Sequence, residues 1–79
     1  MDIKILGPGC RKCKALEKEV REVVSEMGIE ANIEKVTDVN EITSYNVFMT
    51  PGLVVNGKVL VSGRVPKRDE IKKWLQEEA

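Results

Sequence analysis

With 79 residues, the chain has the length of one domain, over residues 1–79, and a core of that size leaves about 3 to 5 kcal/mol of net stability. A composition of 42% hydrophobic and 33% charged residues excludes a disordered chain, and 13 basic against 13 acidic residues leave no net field to draw it onto nucleic acid or an anionic membrane. No apolar run approaches the roughly 18 residues of a membrane span, and the stretch before Gly7 is too short for a signal-peptide apolar region, so the expected location is cytoplasmic.

The segment from Met1 to Leu6 is rich in isoleucine and stops at Gly7-Pro8-Gly9, the pattern of a buried strand feeding a tight loop. From Cys13 onward Leu16, Val20, Val23, Val24 and Met27 recur at steps of three and four, and Gly28 follows as a C-cap, which predicts a helix from about Cys10 to Met27. Ala31 and Ile33 alternate with Glu30, Asn32 and Glu34, and Lys35-Val36-Thr37 leads out of a half-buried second strand. Thr37 or Asp38 is placed to cap a short helix reaching about Tyr45, with Val39 and Ile42 expected on its inner side.

Leu53-Val54-Val55 and Val59-Leu60-Val61 flank Asn56-Gly57, a dipeptide that favours a type I′ hairpin turn because both of its residues tolerate positive φ. After Gly63-Arg64-Val65-Pro66, residues Lys67 to Ala79 place Ile71, Trp74 and Leu75 on one face of a terminal amphipathic helix. The predicted order is βαβαββα, an α/β fold with a four-stranded mixed sheet. Right-handed crossover rules give strand order 2-1-3-4, with helices on both faces.

Chemistry concentrates at Cys10-Arg11-Lys12-Cys13. Two cysteines at this spacing on a helix start bring their sulfurs within bonding reach, and the first lies beside unpaired backbone N–H groups. The positive helix terminus favours its thiolate, and Arg11 and Lys12 add local positive charge to tune the pKa. Cys10 is therefore the expected nucleophile. Cys13, one turn further in and on the apolar stripe with Leu16 and Val20, is the expected resolving thiol.

Metal binding is the competing use of the pair. The chain has no histidine, so a closed zinc site would need carboxylates or a second chain, while copper or a dimer-bridging iron–sulfur cluster would need few or shared thiolates. Copper chaperones that carry such a pair end on a strand, whereas this chain is predicted to end on a helix. An interaction module with idle cysteines is a third alternative.

Gly7-Pro8-Gly9-Cys10-Arg11-Lys12-Cys13 after the first strand and Met49-Thr50-Pro51-Gly52-Leu53-Val54-Val55-Asn56-Gly57 entering the hairpin together resemble the thioredoxin superfamily, in particular its small thioredoxin-like and glutaredoxin-like redox proteins of archaea and anaerobic bacteria. The resemblance spans essentially the whole chain. It implies a thioredoxin-like fold and a thiol-disulfide oxidoreductase that reduces protein disulfides, with no cofactor beyond a redox-active Cys10–Cys13 disulfide. It also implies a cis Thr50–Pro51 bond facing the sulfurs, a substrate-binding strip of Thr50, Pro51 and Gly63, a reductase of the thioredoxin-reductase kind as electron donor, no metal, no nucleic-acid or membrane partner, and a monomer. Aligned without gaps, Lys4 falls six residues before Cys10, where thioredoxins keep a buried acid. Arg64 would add charge near Gly63, Tyr45 and Phe48 flank Thr50-Pro51 and are expected in the core, and Trp74 is expected to anchor the last helix to the sheet.

Overall fold

The structure, a computed structural model, describes residues 1–78. In chain order the elements are β1 (Asp2–Leu6), α1 (Arg11–Met27), β2 (Asn32–Val36), α2 (Val39–Ser44), β3 (Gly52–Val55), β4 (Lys58–Ser62) and α3 (Arg68–Glu78). The sheet runs β2-β1-β3-β4, with β1 parallel to β2 and antiparallel to β3, and β3 antiparallel to β4. The α/β fold class, the element order and the strand order are those expected from the sequence, and Ala79 lies outside the described residues.

Alternation along the strands sorts the core onto two faces. Ile3 and Ile5 of β1, Leu53 and Val55 of β3 and Val61 of β4 pack with Leu16, Val20 and Val23 of α1 and Ile71 and Leu75 of α3. Trp74 is partly buried against this layer. Leu6, Val36 and Val54 point the other way and pack with Ile42 and Val47, with Tyr45 against them. All of β3 is buried because it is an inner strand with helices over both faces.

The hairpin turns on Asn56 (φ 50°) and Gly57 (φ 83°), the two positive-φ residues that a type I′ turn requires. Leu53 pairs with Val61 but Val54 with Val59, so Leu60 is an extra residue on β4. This bulge turns Leu60 toward the same core as its neighbour Val61. Gly28, at φ 64°, ends α1 with the paired bonds Gly28 N–H to Ser25 C=O and Ile29 N–H to Val24 C=O, a Schellman arrangement.

Two expectations for apolar side chains fail. Val39 is 66% exposed, because Asp38 caps α2 by accepting from Asn40 N at 2.7 Å and six helical residues turn Ile42 alone inward. Phe48 is 79% exposed and Met49 68% exposed, so the approach to Thr50-Pro51 displays these apolar side chains on the surface instead of burying them.

Charged residues tie α3 to α1. Arg68 reaches Glu19 (3.0 Å) and Glu26 (3.3 Å) and also pairs with Glu22, three carboxylates on successive turns of α1. Lys72 joins Glu26 at 3.2 Å. Glu22 is thus used between helices, while Glu17 and Arg21 form an i,i+4 pair within α1.

Candidate active site

The site is built where β1 ends. Gly7 N–H still donates to Val36 C=O of the neighbouring strand at 2.9 Å, which carries the backbone to the edge of the sheet before it turns. Gly9, at φ 96°, then reverses the chain and delivers Cys10 as the N-cap of α1, with its own C=O accepting from Lys14 N–H at 3.0 Å. The strand, the turn and the first helical turn therefore fix both sulfurs.

The thiols are 2.7 Å apart, hydrogen-bonded and unequal: Cys10 is exposed and Cys13 is buried. Cys10 lies below the range of an ordinary thiol, first because the Cys13 thiol donates to its sulfur, and then because the backbone N–H groups of Cys13 and Lys12 face it. Those N–H groups are oriented toward Sγ without closing a capping hydrogen bond of full geometry. Cys13 lies above the ordinary thiol range, first because of burial and second because its proton is held by Cys10. Each thiol thus pushes the other in the direction its surroundings already favour. Arg11 and Lys12 sit in the first turn of α1, both exposed.

Gly7 is a site residue that sequence reasoning treated only as loop punctuation. A Cβ at this position would stand well inside contact with Cys13 Sγ, 3.2 Å from Cys13 Cβ and 3.7 Å from Thr50 Cβ. The missing side chain is the space into which the buried thiol fits, with Thr50 on its far side. A glycine three residues ahead of a Cys-x-x-Cys pair was visible in the sequence. Its packing role was not, because it depends on how β1 and α1 meet.

The Thr50–Pro51 peptide bond is cis, and Pro51 is buried. Pro51 C=O accepts from Gly63 N–H at 2.9 Å, which joins the loop after β4 to the loop before β3. Gly63, at φ 84°, is covered by Met49, whose Cβ, Cε and Sδ would lie 3.2, 3.6 and 3.7 Å from a side chain there. Arg64 turns away into a paired contact with Glu70, at 2.8 and 3.3 Å, which neutralises the charge expected at this loop.

Lys4, six residues before Cys10, does not border the hollow at Cys13. Its ammonium donates to Tyr45 Oη at 3.0 Å on the α2 face of the sheet, and this hydrogen bond raises its pKa. Ile5 is the β1 residue on the Cys13 side, since successive strand residues face opposite ways. It borders a hollow of about 60 Å³ that reaches Cys13 beneath Gly7. Gly9 ahead of α1, Lys14 and Glu17 of α1, Lys35 of β2 and Thr37 just after it form the remaining wall.

Among the described residues, no group of three or more His, Cys, Asp or Glu side chains could hold a metal ion, and no helix is long and apolar enough to cross a membrane.

Residues 1–76 match the family model described as Thioredoxin domain. The chain is similar to a protein named Thioredoxin from Methanothermobacter thermautotrophicus, 44% identical over 75 residues that cover 95% of this chain and 97% of the relative. It is also similar to a Thioredoxin from Methanocaldococcus jannaschii, 45% identical over 74 residues that cover 94% of this chain and 85% of the relative.

Proposed function

Since the chain belongs to the thioredoxin family, as a protein-disulfide reductase of the thioredoxin type, we propose that it works by dithiol exchange with fixed roles for its two cysteines. The Cys10 thiolate attacks one sulfur of a substrate disulfide, forming a Cys10–substrate disulfide and releasing the other substrate sulfur as thiolate. Cys13 then attacks the Cys10 sulfur, an internal disulfide forms, and the second substrate thiolate leaves. A reductase returns two electrons to the Cys10–Cys13 disulfide, and no further cofactor enters the cycle.

The observation that carries this reading is the inequality of two sulfurs 2.7 Å apart, one exposed and held low in pKa, the other buried and held high. The exposed thiolate meets the substrate. The buried thiol acts only once its neighbour is occupied, and 2.7 Å leaves little motion to complete the bond.

Thr50, Pro51 and Gly63 form the strip along which an extended substrate segment would lie, with Phe48 and Met49 adding apolar surface at its edge. Arg11 and Lys12 act on the approach of acidic substrates and on the Cys10 thiolate through the open first turn of α1. The protein acts as a monomer of one domain in the cytoplasm, with protein disulfides as substrates. Insulin reduction driven by a small dithiol tests the reading: the wild type accelerates it and Cys10→Ser does not. Equal turnover by wild type and Cys10→Ser would overturn it.

A further inference from the structure

Resolution requires Cys13 to lose a proton, and both its burial and its hydrogen bond to Cys10 oppose that loss. Once Cys10 is tied up in a mixed disulfide it is no longer a thiolate that can hold or take the proton, so another acceptor has to stand near Cys13.

The hollow under Gly7 supplies one. At about 60 Å³ it exceeds the roughly 10–15 Å³ that a water needs, and it is bordered by both Cys13 and the carboxylate-bearing Glu17. The two lie four residues apart on α1, which puts them on one helix face about 5–6 Å apart at Cβ. Glu17 has only 19% of its side chain exposed, and Arg21 Nε at 3.0 Å and Lys35 Nζ at 3.7 Å hold it at the wall. Both cations are more than half exposed, so their pull on the carboxylate is largely screened by solvent. The charged or titratable groups facing Cys13 and Glu17 are Cys10, Lys14, Arg21 and Lys35. None of the others is both a base at neutral pH and free during resolution.

We propose that Glu17 is the proton acceptor for Cys13, working through water in the hollow beneath Gly7. The proposal rests on the dithiol-exchange reading above. The Cys13 proton passes by way of water to the Glu17 carboxylate, the Cys13 thiolate attacks the Cys10 sulfur, the Cys10–substrate bond breaks as the Cys10–Cys13 bond forms, and the substrate leaves as thiolate. Glu17 returns the proton to solvent through the same opening.

A chromogenic aromatic disulfide separates the two steps in the full-length protein. Attack by Cys10 releases a first coloured thiolate, and resolution by Cys13 releases a second. With the reagent concentrated enough that the first phase outruns the second, Glu17→Gln slows the second phase at least about tenfold, the low side of what positioned general bases contribute, and leaves the first phase at its wild-type rate. Glu17→Asp keeps a carboxylate on the same wall of the hollow and restores part of the second phase. Arg21→Gln removes the closer ion pair but keeps the carboxylate, and retains the fast second phase.

An unchanged second phase in Glu17→Gln overturns the proposal. So does an equal slowing in Glu17→Gln and Arg21→Gln, which would assign the effect to the ion pair. Failure of the reading beneath it has a different signature: no first phase in wild type, or a first phase that survives Cys10→Ser.

Discussion

Gly7→Ala isolates what the missing side chain contributes. The Gly7 backbone is outside the left-handed region, so alanine carries no conformational penalty there and the effect of the substitution is steric. The new methyl would stand roughly an ångström or more inside the 3.5–4.0 Å of ordinary contact with Cys13 Sγ. Neither Cys13 Cβ at 3.2 Å nor Thr50 Cβ at 3.7 Å gives it room to retreat. Cys13 Sγ must therefore move, and the 2.7 Å hydrogen bond to Cys10 goes with it.

Overpacking of this kind costs about 1–3 kcal/mol, against the roughly 3–5 kcal/mol that a domain of this size has, so the variant is folded at 25 °C with a clearly lowered Tm. Because the Cys13 thiol is the first cause of the low Cys10 pKa, that pKa rises toward the ordinary thiol value, and a smaller thiolate fraction at pH 7 slows alkylation. Rates of iodoacetamide modification against pH, read at each cysteine by mass spectrometry, give both pKa values. A folded Gly7→Ala protein with both thiols titrating as in wild type would refute the steric argument.

Other consequences can be measured directly. In wild type, Cys10 alkylation follows a titration centred below that of a free thiol, and Cys13→Ala moves the midpoint upward because the donor to Cys10 is gone; no movement would assign the shift to the helix terminus alone. Arg68→Ala leaves Glu19, Glu22 and Glu26 facing one another on α1, so Tm falls at low salt and the loss shrinks at 1 M salt, where the Debye length is about 3 Å. Leu75→Ala opens a cavity under a residue that is 0% exposed, a change that costs about 2–5 kcal/mol. That is comparable with the whole stability of a domain this small, so circular dichroism shows a substantial unfolded population at 25 °C and a sharply lowered Tm.

Much of the fold was legible because its signals are local and agree with one another. The i,i+3/i+4 stripe from Cys13 to Met27, the Gly28 cap and the Asn56-Gly57 turn each name one element. The crossover rules then leave few ways to order the strands. Cys10 and Cys13 were visible for the same reason, since spacing and position at a helix start are properties of the sequence.

What escaped depends on how elements meet. The Leu60 bulge, the outward turn of Val39 and Phe48, and the capture of Arg68 by α1 are set by packing between segments distant in sequence. Lys4 meets Tyr45 and its neighbour Ile5 borders the hollow at Cys13, because successive residues of a strand face opposite ways. Gly7, Glu17 and Lys35 entered the site only when β1, α1 and β2 were brought together around the hollow at Cys13.

The division of labour between the two thiols is tested most directly by trapping. Cys13→Ser, incubated with a protein disulfide, should accumulate a mixed disulfide whose mass spectrum places the substrate on Cys10, while Cys10→Ser accumulates none. A stable adduct on Cys13 in Cys10→Ser, formed as fast as the Cys10 adduct, would contradict the account.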